Sequence, residues 1–352
     1  MVLSYVVRRF LQMIPTFLGA TLLAFLIIQA APGDFTDRFA LDPNIDPEQL
    51  QRMRERFALD QPVMVQYANW MWSIVRFGYL GESFSYRAPV NDVIYPLVLN
   101  SMSLVLVSLV LTYLLTIPIA VYSAVRQYSL GDKVVTFLSF LGLAIPNFFF
   151  ILILITGVLF LQPTLRQVAA QGGPAEQVLR PITYDLDRGL VFPVGGMRTS
   201  QRVEQMSPWE RFKDRVWHLV LPVIVVTTAS LASLVRVLRG QMLEFLRSDF
   251  VRTAAAKGVP PRGVVYKHAL RNALNPLISG IGTLLPSLVG GAGLVEFVIR
   301  WPGITPAFVA AVKAQDLYIV MGLLTVSAVL LMIGNFLSDV LLGLVDPRIR
   351  YT

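Results

Sequence analysis

Six runs of apolar residues, at about 10–31, 99–125, 134–162, 216–235, 274–295 and 317–345, constrain this chain more than any other feature. Each is about 20 residues or longer, the length a helix needs to cross a ~30 Å hydrocarbon core. In hydrocarbon every backbone N–H and C=O must find a partner within the segment, so the runs read as helices. The expectation is an all-α integral membrane protein with about six transmembrane helices. Composition agrees: 55% of the residues are hydrophobic and only 15% charged, against about 25% charged in an ordinary soluble domain. The first run follows Arg8 and Arg9 and exceeds the ~7–15 residues of a secretory signal core, so it is expected to stay as the first helix.

An even number of crossings puts both termini on one side. With Arg8 and Arg9 cytoplasmic, the inner segments 1–9, 126–133, 236–273 and 346–352 carry 14 Lys/Arg and 4 Asp/Glu. The outer segments 32–98, 163–215 and 296–316 carry 16 Lys/Arg and 17 Asp/Glu. The basic excess lies inside, as orientation in a cell membrane requires. The chain divides into 1–98, a first helix with an outer helical segment; 99–345, the transmembrane core; and 346–352, a cytoplasmic tail. Within the six runs Asp339 is the one Asp, Glu, Lys or Arg. Ion-coupled carriers place ionisable groups at membrane depth, so this scarcity weighs against that class, although backbone carbonyls also bind ions.

Other classes find less support. The absence of cysteine excludes disulfides and thiolate metal sites. His218 and His268 read as structural. Arg247, Arg252, Lys257, Arg262 and Lys267 recur every five residues, which spreads them around a helix. That pattern fits a membrane-flanking basic loop better than a nucleic-acid-binding face. No paired carboxylates, Ser-His-Asp set or metal-ligand cluster suggests an enzyme.

Local signals fill in the loops and spans. Asp46 can cap a helix starting at Pro47, with Leu50, Met53 and Phe57 on one face. A second stretch carries Tyr67, Trp70, Trp72 and Phe77, and is expected to pack on the bundle or rest at the outer membrane surface. Pro118, Pro146, Pro222, Pro276 and Pro286 each remove a helix hydrogen bond and can kink their spans. Gly290, Gly291 and Gly293 permit close helix packing or a gate.

The most informative loop is the longest inner one. Residues 251–261 read VRTAAAKGVPP. Ser248 or Asp249 can cap a helix over 249–257, Gly258 suits the left-handed position beyond its end, and Pro260 and Pro261 stop it. Two turns are too short to be stable alone, so the helix must rest on something. Ala254, Ala255 and Ala256 let another surface approach closely, within a basic rim. A docking knob and an ordinary hairpin both fit this pattern. A second helix is expected from Pro261 through His268 and Arg271 into the fifth span.

RTAAAKG at 252–258, followed by HALRNALNP at 268–276, resembles the cytoplasmic EAA loop of binding-protein-dependent ABC importer permeases. The broad motif has Glu-Ala-Ala where this chain has Arg252, Thr253 and Ala254, then Gly at Gly258. It also has Ile-x-Leu-Pro where this chain has His268, Ala269, Leu270 and Arg271. Both departures are similar to the dipeptide/oligopeptide/nickel branch. The resemblance runs through RRFLQMIPTFLGATLLAF at 8–25, APGD at 31–34, LDQPVMVQY at 59–67 and GYLGESF at 78–84. It continues through VRVLRGQMLEFLRSDFVRTA at 235–254, EFVIRWPGI at 296–304 and DPRIRY at 346–351.

The resemblance implies a type I ABC importer permease fold with helical extracytoplasmic insertions. It implies that the EAA-loop helix, with Asp249, Arg252, Thr253, Ala254, Ala255, Ala256, Lys257 and Gly258, docks on a cytoplasmic ATPase, assisted by His268 and Arg271. Implied partners are a second, similar permease, two ABC ATPases that use ATP and Mg²⁺, and an extracytoplasmic solute-binding protein. No cofactor is expected on this chain, which has no Gly-Lys-Ser or Gly-Lys-Thr of a phosphate-binding loop. Pro146, Asn147, Phe148, Gly290, Gly291 and Gly293 are candidate elements of the pathway. Peptides are the first expectation for cargo, with nickel, glutathione or oligosaccharides as alternatives. An ATP-independent channel or carrier, and a non-transporting scaffold, are the competing classes.

Overall fold

A computed structural model describes residues 2–30, 48, 51, 54–55, 60–170, 193–198 and 206–345. Of the helix expected after Asp46, Glu48, Gln51, Arg54 and Glu55 are helical, whereas Leu50, Met53 and Phe57 lie outside the described residues, as does the tail. The described elements are helical: α1 (Val2–Gln29), α2 (Val63–Phe77), α3 (Val90–Val125), α4 (Leu130–Ala144), α5 (Asn147–Ala170), α6 (Pro208–Leu246) and α7 (Asp249–Ala256). Then follow α8 (Pro261–Gly263), a π-helix (Val264–Leu270), α9 (Arg271–Ala273), α10 (Asn275–Val298), α11 (Ile304–Lys313) and α12 (Leu317–Val345).

Among the described residues five helices are long and apolar enough to cross a membrane, within α1, α3, α5, α6 and α12. The 24-residue α10 spans about 36 Å at 1.5 Å per residue, which also suffices. The expected run 134–162 is not one helix. It breaks at Ile145, which is extended, and Pro146, separating the 15-residue α4 from α5. Proline lacks the N–H to continue the ladder and drives its predecessor out of the helical region. Pro276, expected to kink its span, instead occupies the first turn of α10, where a missing N–H costs nothing. Pro118 and Pro222 lie inside α3 and α6 as anticipated.

The helices α3 and α6 are the two axial members, packed along one another. At 36 and 39 residues they run to about 54 and 58 Å, well beyond the hydrocarbon thickness. Their overhang carries the loop of interest. One buried cluster joins Leu104 and Val105 of α3, Val225 and Val226 of α6, Val295 of α10 and Trp301. A second joins Val121 and Ala124 of α3, Leu238 and Met242 of α6, and Leu270 and Leu277 of the π-helix–α10 segment. The α12 helix pairs with α10 on one side and α1 on the other.

The aromatic stretch of α2 divides between its two expected roles. Tyr67 meets Thr21 at 2.9 Å, and Trp70 stacks near Phe25 while its indole N–H donates to Leu80 O at 3.0 Å. Trp72 and Phe77 face outward, with Arg76 over both rings.

Ionisable groups are more deeply placed than the apolar runs suggest. Glu296, assigned from sequence to an outer loop, lies within α10 and is buried, as is Asp316 just ahead of α12. Both act as caps. Glu296 accepts from Ser101 Oγ at 2.5 Å and from the Thr305 N–H at 3.1 Å, at the start of α11. Asp316 accepts from Ser83 Oγ at 2.6 Å, the Ser85 N–H at 2.8 Å and the Ile319 N–H at 3.3 Å. A buried carboxylate is tolerable when donors surround it in this way.

Candidate functional site

The loop between α6 and α10 is built around the short helix α7. Ser248 stands at its N-cap position in an extended conformation, but caps nothing; its hydroxyl turns back to Phe245 O at 2.5 Å. Asp249 falls in the first turn, where a carboxylate suits the helix dipole. Its contact with Arg252, 3.8 Å long between two exposed side chains, adds little to stability. At the other end Gly258 adopts φ +82°. Its N–H donates to Ala255 O at 3.0 Å and that of Val259 to Ala254 O at 3.3 Å, closing the helix. Pro260 and Pro261 then redirect the chain.

The helix is two-faced. Val251, 3% exposed, and Ala254, 9% exposed, turn inward, and Val251 joins the cluster of α3, α6 and α10. Phe250, Arg252, Thr253, Ala255, Ala256, Lys257 and Gly258 are exposed. The buried face supplies the support that a helix of two turns needs. The exposed face has a low centre, where the alanines lie, and a rim of Phe250, Arg252 and Lys257. An added side chain at Gly258 would meet open space, so its glycine answers to conformation alone.

The expected second helix from Pro261 is present, but as a composite. Its middle, Val264–Leu270, is a π-helix, which inserts an extra residue into the turn. Ala269, Leu270 and Ala273 are buried in the bed beneath α7. His268 is half-buried, and its carbonyl accepts from Asn272 Nδ2 at 2.8 Å. His268 and Arg271 therefore belong to the strut behind α7, with Arg271 exposed, and not to α7 itself.

The candidate pathway residues separate. Pro146, Asn147 and Phe148 sit together at the break between α4 and α5. Asn147 lines an apolar cavity of about 420 Å³ among α3, α4, α5 and α6, with Phe150, Ser139, Thr228 and Leu231. Gly293 lies elsewhere. A Cβ there would come within 2.3 Å of Thr305 Oγ1, so this glycine allows α10 and α11 to touch. Gly290 and Gly291 are on α10, in a stretch whose surroundings lie outside the described residues.

Besides the burial of Glu296 and Asp316, sequence reasoning missed a charge pairing near this loop. Asp132 and Arg239 were counted only as inner-loop charges, yet they form an ion pair, Asp132 buried and Arg239 partly exposed, with Arg239 Nε 2.8 Å from Asp132 Oδ1. Separated by more than a hundred residues, neither is marked by any local pattern.

Comparison with known proteins agrees with this architecture. Residues 116–351 match the family described as binding-protein-dependent transport system inner membrane component, and residues 2–105 match its N-terminal counterpart. The chain is 38% identical to the oligopeptide transport system permease protein AppB of Bacillus subtilis, over 99% of each chain. It is 35% identical to the di/tripeptide transport system permease protein DppB of Pseudomonas aeruginosa, again over 99% of each. With the dipeptide transport system permease protein DppB of Escherichia coli K12 it shares 31%, over 99% of each. A multi-pass helical bundle whose full length matches these proteins belongs to the binding-protein-dependent transport system inner membrane component family, and the chain is a membrane permease subunit of such a transporter.

Proposed function

We propose that this chain forms half of the pathway by which di- or oligopeptides enter the cell, with a second, similar permease forming the other half. Two cytoplasmic ATPases hydrolyse ATP with Mg²⁺, and a solute-binding protein delivers cargo on the outer side. The chain binds no nucleotide or cofactor itself. Both termini and α7 lie on the cytoplasmic side of the plasma membrane.

The observation that carries this reading is α7: a short helix seated through Val251 and Ala254, with a small-residue face left open. A cleft on a partner can receive such a face. Because its inner side joins a cluster shared by α3, α6 and α10, a force on α7 reaches three long helices at once. Peptide cargo is supported by the transport systems for which the three relatives are named. The cavity beside Asn147 is walled almost wholly by apolar groups, which suits a passage that does not grip its cargo. Selection then falls to the binding protein.

The test is uptake into proteoliposomes holding this chain with its partner permease and ATPases, with ATP enclosed and binding protein outside. Entry of labelled dipeptide or longer peptide that requires both ATP and binding protein is the expected result. Entry of nickel in place of peptide would change the cargo and keep the mechanism. Flux through this chain alone, indifferent to ATP, would overturn the docking role of α7.

A further inference from the structure

Four donors from three segments converge on one carboxylate where α3, α4 and α6 meet. Arg239, on α6, grips Asp132 from two sides: Nε lies 2.8 Å from Oδ1 and Nη2 2.8 Å from Oδ2. Ser123 Oγ, in the last turn of α3, donates to Oδ1, and the Tyr128 N–H reaches Oδ2 at 2.8 Å. Arg239 Nε also lies 2.9 Å from Ser123 Oγ. Asp132 is 3% exposed and stands in the first turn of α4, whose N-cap is Ser129.

Stability alone is a poor reason for this arrangement. Burying the Asp132 carboxylate is costly, and an apolar pair of similar size often holds helices equally well. A two-pronged guanidinium–carboxylate contact adds direction, which apolar packing lacks. Leu238 and Met242 flank Arg239 on α6 and share a buried cluster with Val251 of α7. A displacement of α7 therefore meets α6 within one turn of Arg239. From Asp132, α4 runs directly to the break at Ile145 and Pro146. Between α4 and α6 lies the 420 Å³ cavity; the helices touch where Gly142 meets Ala232, an apolar contact that can slide, whereas the ion pair fixes their register.

We propose that Asp132 and Arg239 are positioning residues for energy coupling: their ion pair makes α4 follow α6 when α7 is displaced, and so carries the displacement to the break at Pro146. The inference rests on the reading of α7 as the docking helix.

The informative variant is Asp132→Asn combined with Arg239→Met. It removes both charges and leaves no ion without a partner, because the amide oxygen can accept from the Tyr128 N–H while its NH2 donates to Ser123 Oγ. In the reconstituted transporter, this chain should still insert, bind its ATPases and unfold near the normal temperature. ATP hydrolysed per peptide imported should rise about tenfold, within the range by which residues between coupled sites alter coupling. Arg239→Lys, which keeps the charge and loses the second prong, should fall between wild type and the double variant. Import by the double variant at the normal ATP cost would show the pair to be merely structural and overturn the proposal. Gly258→Pro, assayed alongside, separates the two levels. If it imports normally, the docking reading itself fails and this inference with it; if it blocks import while the double variant is normal, only the ion-pair inference fails.

Discussion

At the scale of single residues, backbone geometry decides more than side-chain chemistry. Gly258 holds φ +82° with empty space where a Cβ would be, so its requirement is conformational. Gly258→Ala should weaken the helix end by about 1–2 kcal/mol and slow uptake without abolishing it. Gly258→Pro should abolish ATP-dependent uptake, because proline fixes φ near −65° and removes the N–H that bonds Ala255 O. Retained membrane insertion of both variants, measured beside uptake, separates lost coupling from lost fold. Gly293 answers to a different constraint, the approach of Thr305. Gly293→Ala should lower thermal stability by about 1–3 kcal/mol through overpacking, with the ATP cost of each imported peptide unchanged in the molecules that remain folded. The glycines were visible in the sequence; which of them serves conformation and which contact was not, because the contact partner of Gly293 comes from another helix.

At the scale of elements, α7 depends on its inward face for existence and on its outward face for recognition. Val251→Ala removes two methyl groups from a buried site and should raise amide exchange across Asp249–Ala256, with a loss of about 1–2 kcal/mol. Ala255→Trp places bulk on the exposed face. It should leave thermal unfolding unchanged and reduce co-purification of the ATPase, a pairing of results that an ordinary hairpin would not give. The limits of α7 were legible in the sequence because Gly258, Pro260 and Pro261 act locally. The break at Pro146 was only half legible. Proline announces a disturbance, but whether a helix kinks or ends depends on what neighbouring helices press against it, and here α4 and α5 part company.

At the scale of the whole molecule, α3 and α6 project beyond the bilayer and hold α7 at their ends. The chain contains no cysteine, so single introduced thiols report sidedness cleanly. Ala255→Cys should react with an impermeant reagent only from the cytoplasmic side, and Trp72→Cys only from the outside. The reverse pattern would invert the orientation argued from basic residues. Buried Glu296 and Asp316 show why apolar runs alone misjudge span ends. Glu296 extends α10 beyond its apolar stretch because Ser101 and the Thr305 N–H satisfy its carboxyl group, and Asp316 is held at the start of α12 by Ser83, Ser85 and Ile319.

The sequence by itself determined the class of the protein, the number of long helices to within one break, and the position and limits of α7. These follow from hydrophobic length, proline and glycine stereochemistry, and motif spacing, all of which act over a few residues. The tertiary structure decided which face of α7 is buried, that His268 and Arg271 stand behind it, and that Gly293 serves packing. It also joined Asp132 to Arg239 and capped helices with Glu296 and Asp316. Most of those outcomes join residues of different helices, and such pairings are set by how helices pack against one another, on which local periodicity is silent.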